Sequence, residues 1–138
     1  MQGIKVAVCV DDKQGMLFFG KRQSRDRVLI EELIEYAEGK KILINSFSKL
    51  LFPNDDTVKV CENPLAEAQC GDICFIENLP LMPSIDKIGT LIIYRWNRTY
   101  PTDKKLDVNV AANGFKLVSI KEFAGSSHDK ITKEIYER

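Results

Sequence analysis

Residues 21–27 combine several cations with a hydroxyl group just ahead of the strongest predicted helix. Four of these seven side chains are lysine or arginine, and Ser24 is of a type that favours the N-cap position. Free backbone N–H groups and the helix dipole attract anions at a helix N-terminus. The segment therefore predicts either a phosphate or carboxylate site, or a solvated charged loop in which Ser24 is only a cap.

A second candidate site lies where a buried strand, residues 41–45, turns directly into a short helix. Asn45, Ser46 and Ser48 stand at that turn. Donors at such a turn point to the carboxyl edge of an α/β sheet, where ligands bind. Asn78 follows another predicted strand, and we expect it at the same edge. We interpret these four residues as contacts for a small anionic or nucleotide-like ligand.

Two arginines, Arg95 and Arg98, follow a third apolar strand and have Trp96 and Tyr100 close by in sequence. Guanidinium groups pair with phosphate through a planar donor fork, and aromatic rings stack on bases. The cluster therefore adds both arginines to the predicted ligand contacts. In the alternative interpretation, Trp96 packs on the rim of the sheet and the arginines pair with carboxylates such as Glu77.

The remaining reactive side chains match no catalytic or metal-binding pattern. The chain has one histidine, His128, and the adjacent Ser126 and Ser127 are not flanked as a nucleophile elbow requires. We therefore expect a hydrogen-bonded turn histidine. Cys70 and Cys74 are not spaced as in zinc ribbons, so we predict no bound metal.

Length and charge limit the classes of protein that fit. The 138 residues suit one domain spanning residues 1–138, and the 44% hydrophobic content is typical of a globular core. Twenty basic and twenty acidic residues cancel, so the charge does not favour a nucleic-acid partner. The apolar runs are too short to cross a membrane and no secretory signal is evident, so we expect a cytoplasmic protein.

Apolar runs rich in β-branched residues predict six strands, at residues 4–10, 41–45, 57–61, 72–76, 90–94 and 115–123. Periodicity, caps and prolines predict helices over residues 25–38, 47–52, 64–69 and 83–88. Because strands and helices alternate, we expect right-handed parallel crossovers. The predicted fold class is α/β, a three-layer sandwich around a mixed, mostly parallel central sheet with a closing antiparallel hairpin. Residues 128–138 fit either a strand or a helix.

In this order the segments resemble a dihydrofolate reductase chain from end to end. Residues 10–16 resemble the family's flexible loop near the substrate, and residues 41–52 its strand and helix that bind the cofactor phosphates. Residues 85–94 resemble the helix end and strand that follow its glycine pair, and residues 115–138 its closing hairpin. The resemblance implies a dihydrofolate-reductase-like fold and NADPH-dependent reduction of a pterin- or pyrimidine-like substrate.

The departures from the family fall at the positions that carry its chemistry. The glycine pair that lets the cofactor pyrophosphate approach the backbone is replaced by Glu77 and Asn78. The carboxylate of the family's substrate pocket would fall near Leu29, and Asp26, Glu31 or Glu32 could take its place in another register; of these, Asp26 and Glu31 are the candidate catalytic residues. We therefore predict no bound cofactor and favour a ligand-binding protein on a degenerate scaffold, with the reductase as the alternative.

Three shorter segments resemble a group of short uncharacterised bacterial proteins, some of which carry a ribonuclease Z label. These segments are residues 21–26, 94–101 and 122–128. The two-metal site of such a nuclease needs several histidines and aspartates, which a chain with one histidine does not supply. We therefore do not expect nuclease activity.

A further alternative is an interaction protein that forms a homodimer. Its surface would consist of aromatic side chains that we expect to be exposed: Phe18, Phe19, Trp96 and Tyr100. Exposed aromatic groups of this kind are enriched in protein interfaces.

Overall fold

The computed structural model describes residues 3–138, and within them the chain forms ten strands and two α-helices. The strands are β1 (Ile4–Val10), β2 (Gly15–Phe18), β3 (Lys21–Arg22), β4 (Ile42–Ile44), β5 (Val58–Val60), β6 (Ile73–Phe75), β7 (Ile88–Arg95), β8 (Lys104–Lys105), β9 (Lys116–Phe123) and β10 (Ile131–Glu137). The helices are α1 (Arg27–Ala37) and α2 (Pro64–Glu67), and 3₁₀ turns cover Lys49–Leu51, Met82–Lys87 and Ala111–Asn113.

Seven strands form one sheet in the order β5-β4-β6-β1-β7-β10-β9. The first five of these are parallel to their neighbours, whereas β10 runs antiparallel to β7 and β9 antiparallel to β10. This arrangement confirms the predicted mixed, mostly parallel sheet with a closing hairpin. It also decides between the two interpretations of the C-terminal residues, because Ile131–Glu137 is a strand.

The apolar side chains pack on both faces of this sheet, which gives three layers. Alternate residues of β1 face opposite sides: Ala7 packs towards α1, whereas Val6 and Val8 belong to the core of the other face. On the first face, Leu29 and Leu33 of α1 lie fully buried. Burial on both faces explains why the central strands are continuous apolar runs in the sequence.

Several local features differ from the sequence-based expectation. The segments predicted as helices at residues 47–52 and 83–88 form the 3₁₀ turns Lys49–Leu51 and Met82–Lys87. In a small antiparallel sheet of order β3-β2-β8, β2 pairs with β3 and with Lys104–Lys105, and none of these three short strands is predicted from the sequence. Helix α1 begins at Arg27 and not at residue 25, because Asp26 and not Ser24 is its N-cap. The Asp26 carboxylate accepts from the backbone N–H groups of Val28 and Leu29.

Candidate functional site

The carboxyl ends of the parallel strands bring polar residues to one edge of the sheet. Asp11 follows β1, Asn45 follows β4, Glu77 lies just beyond β6, and Trp96 follows β7. Helix α1 starts above this edge, because the chain leaves β1, forms β2 and β3, and enters the helix at Arg27. Open α/β sheets place ligands at this edge, so these residues define the region in which a site is sought.

Asp26 is the most heavily hydrogen-bonded side chain of this region. Besides capping α1, its carboxylate accepts from the Ser126 N–H at 2.8 Å, the Ser127 N–H at 2.8 Å and the Ser126 hydroxyl at 3.1 Å. His128 Nδ1 donates to Asp26 Oδ2 at 2.9 Å. A Cβ on Gly125 would collide with this carboxylate, so a glycine is required there. Asp26 therefore ties the start of α1 to the turn before β10.

The hydrogen bonds of Asp26 keep its carboxyl ionised. Burial by itself raises the pKa of this carboxyl, but the hydrogen bonds from His128, Ser126, Ser127 and Leu29 together lower its pKa well below the usual range. The group is therefore a permanent acceptor near neutral pH and holds no proton to donate to a substrate.

His128 connects Asp26 to two hydroxyl groups. Because the carboxylate only accepts, Nδ1 carries a hydrogen, and Nε2 lies within hydrogen-bond distance of two hydroxyl groups, Ser24 Oγ at 3.0 Å and Tyr100 Oη at 3.1 Å. The Trp96 indole stacks on the imidazole, with ring centroids 4.5 Å apart. His128 is thus the hydrogen-bonded turn histidine expected from the sequence.

The hydrogen bonds between Asp26 and His128 and between His128 and Ser24 are those of a nucleophilic triad, but the space beside Ser24 is too small for a substrate. The two cavities that Ser24 lines, beside Cys9 and Trp96, each hold about 10 Å³, room for about one water molecule. Tyr100 Oη, at 3.1 Å from Nε2, also competes with Ser24 for the one lone pair that a general base would use. We therefore interpret this cluster as a positioning network for the walls of a neighbouring groove.

That groove, with a volume of about 480 Å³, lies between α1 and residues 50–53. Its apolar wall includes Ile30 of α1 together with Leu51 and Phe52, and the Phe52 ring is fixed edge-on against Phe75 of β6 at 5.2 Å. Ser126 and Ser127 line it from the turn that Asp26 holds. The network around His128 therefore determines the shape of one side of this groove.

The charges around the groove leave one cation unpaired. Glu31, a predicted catalytic residue, is exposed and pairs with Arg27 one turn away at 3.0 Å. The charge of Asp26 is compensated by its hydrogen-bond donors. The exposed Arg25 side chain forms no ion pair or hydrogen bond within residues 3–138, and neither does the Ser127 hydroxyl. The groove thus presents an apolar wall beside a free guanidinium group.

Glu77, which the sequence resemblance aligns with the glycine pair of dihydrofolate reductases, forms an ion pair and a hydrogen bond with its neighbours. Arg22 Nε donates to Glu77 Oε2 at 2.9 Å, and the Ser48 hydroxyl donates to Glu77 Oε1 at 2.7 Å. Arg22 also donates to the Phe47 carbonyl at 2.7 Å. Ser48, predicted as a ligand contact, is fully buried in this cluster. The side chains of Arg22, Glu77 and Ser48 therefore occupy the edge of the sheet beyond β6, and the charges of Arg22 and Glu77 neutralise each other.

Three of the predicted ligand contacts, Asn45, Ser46 and Asn78, line a second open cavity of about 390 Å³. The Asn45 amide donates to Asn78 Oδ1 at 2.8 Å, and Asn45 Oδ1 is buried with no hydrogen-bond partner among the described residues. Glu62 and Cys61 also line this cavity, and burial together with Glu67 raises the pKa of the Cys61 thiol to about 11. The cavity therefore offers amide groups, an acid and an un-ionised thiol, but its lining includes no cation.

The two arginines at and after the end of β7, Arg95 and Arg98, do not join these residues. Arg95 donates to Glu134 of the neighbouring strand β10 at 2.6 Å and to Gln14 at 3.2 Å. Arg98 is exposed, and its side chain makes no hydrogen bond or ion pair within residues 3–138. Trp96, expected to be exposed, is 96% buried beneath the His128 ring, which removes it from the predicted aromatic surface.

The architecture matches solved structures over its full length. One of them, dihydrofolate reductase from Enterococcus faecalis complexed with NADP(H) and RAB-propyl, superimposes with a TM-score of 0.63. The alignment covers 100% of this chain and 99% of that chain at 10% sequence identity. The fold is that of dihydrofolate reductase. At this identity the likeness establishes the dihydrofolate-reductase-like fold and does not extend to the reaction.

The other comparisons give no closer assignment. No protein-family profile matches the chain, and no curated protein matches it. The grouping with ribonuclease-Z-labelled proteins therefore receives no support beyond the short segments, and no cluster of three metal-binding side chains occurs among residues 3–138. Within the same residues, no helix of this dihydrofolate-reductase-like fold is long and apolar enough to cross a membrane.

The sequence analysis missed the groove because its parts are far apart in the chain. Arg25 and Asp26 stand about 100 residues before Ser126 and Ser127, with which they form its polar side. The one available signal was the run from Gly125 to His128, in which a glycine precedes three hydrogen-bonding residues, as in turns that wrap an anion or a carboxylate.

Proposed function

We propose that the protein binds a small anionic, nucleotide-like molecule in the groove between α1 and residues 50–53. The observation that carries this proposal is the free guanidinium group of Arg25 beside an apolar wall. The cavity at Asn45 has no cation in its lining, since Glu62 is its charged residue. A third open cavity, of about 610 Å³, is lined by Arg95, but that guanidinium group is already paired with Glu134. An anionic ligand therefore favours the groove over the cavity at Asn45.

The dimensions and chemistry of the groove support a ligand with a flat apolar body and one anionic group. A volume of about 480 Å³ lies within the range of small-molecule sites. Ile30, Leu51 and Phe52 would cover the body of the ligand, and Arg25 would offer paired N–H donors to a phosphate or carboxylate. The Ser127 hydroxyl is free to add a further hydrogen bond.

Removing the charge of Arg25 is expected to weaken binding of a nucleoside monophosphate about 10- to 100-fold, because a hydrogen bond to a charged group contributes roughly 1.5–3 kcal/mol. Thermal-shift screening of nucleoside monophosphates, pterins and flavin mononucleotide would identify the tightest compound. At 100 times its dissociation constant, such a compound adds about 2.7 kcal/mol to stability. Isothermal titration calorimetry of wild-type protein and Arg25→Gln then measures the loss.

Lys40→Gln is the matched control, because it removes one exposed charge at the far end of α1. Its affinity should equal that of the wild type. For a compound with a phosphate group, the dephosphorylated form should bind wild-type protein and Arg25→Gln equally. If no compound stabilises the protein, or if Arg98→Gln weakens binding while Arg25→Gln does not, the groove is not the ligand site.

The alternative function is NADPH-dependent reduction, because the Enterococcus faecalis enzyme of the same fold is complexed with NADP(H). Two observations weigh against it. By the sequence resemblance, Glu77 places a carboxylate where dihydrofolate reductases have a glycine that lets a pyrophosphate approach the backbone, and its ion pair with Arg22 neutralises a positive charge beside it. The ionised Asp26 carboxyl also holds no proton to deliver to a substrate. Saturable quenching of Trp96 fluorescence by NADPH at micromolar concentration would instead favour the reductase.

A further inference from the structure

The turn between β2 and β3 exposes two adjacent aromatic side chains. Phe19 is 77% exposed and Phe18 is 37% exposed, and their ring centroids lie 4.2 Å apart. A Cβ built on Gly20, the next residue of the turn, would meet no heavy atom within 4 Å other than those of its chain neighbours. The two rings therefore form one apolar tip that stands clear of the rest of residues 3–138.

Phe19 has a backbone conformation that disfavours a bulky side chain. Its φ is +50° and that of Gly20 is +73°, as in the two-residue hairpin turns that favour asparagine and glycine. A bulky residue is uncommon in this region, because its side chain crowds the backbone there. The Phe19 N–H donates to Asp103 Oδ2 at 3.1 Å, which holds the turn. Asparagine would suit the fold better, so the aromatic side chain points to a contact outside the chain.

Lysine side chains flank this tip on both neighbouring strands. Lys21 begins β3 directly after the turn, and Lys104 and Lys105 form β8 on the other side of β2. These three side chains are exposed, and none forms an ion pair or hydrogen bond within residues 3–138. Asp103 is the one carboxylate in or next to the three strands of this small sheet. The apolar tip is therefore surrounded by an excess of unpaired positive charge.

We propose that this tip binds the surface of a lipid bilayer that contains anionic lipids. Phe18 and Phe19 enter the headgroup region, and the three lysines contact the lipid phosphates. Protein segments that lie at a bilayer surface combine aromatic side chains with lysine or arginine, because apolar burial and attraction to anionic lipids add to each other. Because only the side chains of one turn enter the lipid, this contact needs no membrane-spanning segment.

The size and shape of the tip favour a lipid surface over a protein or a nucleic acid. An aromatic side chain buries roughly 150–250 Å². Two partly exposed rings therefore offer far less than the roughly 800 Å² that each partner contributes to a stable protein interface. The rings also contact each other at an interplanar angle of 44°, so they do not provide two parallel platforms for stacked bases.

Co-sedimentation of the full chain with lipid vesicles tests the proposal. We expect binding to vesicles of phosphatidylcholine mixed with phosphatidylglycerol in about 0.1 M NaCl, where the screening length is about 10 Å, and little binding to phosphatidylcholine alone. Phe19→Asn should weaken binding about 10-fold or more, because it removes the most exposed apolar group. Its melting temperature should equal or exceed that of the wild type, since asparagine suits this backbone conformation. A purely structural role of Phe19 would lower the melting temperature instead.

Charge variants test the role of the lysines. Lys21→Gln combined with Lys104→Gln should weaken vesicle binding roughly 25-fold, because each lysine near an anionic surface contributes a factor of about 5. Lys40→Gln combined with Lys59→Gln removes two exposed charges outside the small sheet. Ile120→Thr removes an apolar side chain that is 56% exposed on β9. Both of these controls should bind vesicles like the wild type.

Four outcomes would overturn the proposal. They are no binding to the anionic vesicles, equal binding to phosphatidylcholine alone, a Phe19→Asn variant that binds like the wild type, and a loss of binding in Ile120→Thr. A tip that binds a single-stranded oligonucleotide or a second copy of the chain, and no vesicles, would also overturn it. Sedimentation of wild-type protein and Phe19→Asn without vesicles, each with and without the oligonucleotide, distinguishes these two cases.

Discussion

The Asp26→Asn variant is expected to unfold with a free energy about 3 kcal/mol below that of the wild-type protein, because a buried charged acceptor is lost. Six donors converge on this carboxylate from α1, the turn at Ser126 and Ser127, and His128. An asparagine offers an NH₂ group to donors that need an acceptor. Urea denaturation followed by circular dichroism and by the fluorescence of Trp96 measures the change.

The same variant should lose part of the acid sensitivity of the protein. The pKa of Asp26 is lower in the folded state than in the unfolded chain, so its contribution is present above the unfolded pKa, near pH 4, and is lost as pH falls below it. Wild-type stability should therefore decrease more steeply below about pH 4 than that of Asp26→Asn. Asp129→Asn is the control, since Asp129 is exposed. If acid lowers the stability of Asp26→Asn as steeply as that of Asp129→Asn, the hydrogen bonds to Asp26 contribute nothing to the acid sensitivity.

Removing Glu32 is expected to cost about 3 kcal/mol, because it leaves the buried Lys133 ammonium group without its carboxylate. Glu32 accepts from Lys133 at 2.9 Å and from the Tyr94 hydroxyl at 2.6 Å. Burial lowers the pKa of Lys133, and the hydrogen bond to Glu32 opposes this shift. The charged form of Lys133 therefore depends on Glu32. Chemical denaturation of Glu32→Leu measures the cost.

A double substitution identifies the cause of that loss. Glu32→Leu combined with Lys133→Met replaces the ion pair by apolar groups of similar size, and its stability should return to within about 1 kcal/mol of the wild type. Glu35→Leu changes an exposed carboxylate on the same helix and should have little effect. If the double variant is as unstable as Glu32→Leu, the cost arises from Tyr94 or from packing and not from the unpaired lysine.

Local sequence patterns were sufficient to predict the main sheet, and long-range pairing decided the rest. The predicted strand at residues 4–10 coincides with β1, because seven largely apolar residues covered on both faces leave few alternatives. The small sheet that joins Gly15 to Lys105 was not predicted, because strands of two to four residues carry no periodic signal. Within the ambiguous residues 128–138, Ile131–Glu137 forms a strand because it pairs with β7 on one side and with β9 on the other.

The candidate site was harder to predict because neighbouring residues compete for the same role. Ser24 and Asp26 are both good N-cap types, and the choice fell to Asp26 because the turn at Ser126 and Ser127 supplies further donors to a carboxylate. Trp96 was expected on the surface, yet His128 covers it from more than 30 residues away in the chain. Such contacts between distant segments leave no spacing rule in the sequence.

The most direct test of the proposed ligand site is a titration of ¹⁵N-labelled protein with adenosine monophosphate, followed by amide chemical shifts. We expect the largest changes at Arg25, Ile30 and Ser127 and at residues 51–52, which border the groove. Inorganic phosphate at the same concentration should perturb Arg25 alone among these. Changes centred on Asn45 and Asn78, or no saturable change at millimolar ligand, would contradict the proposal.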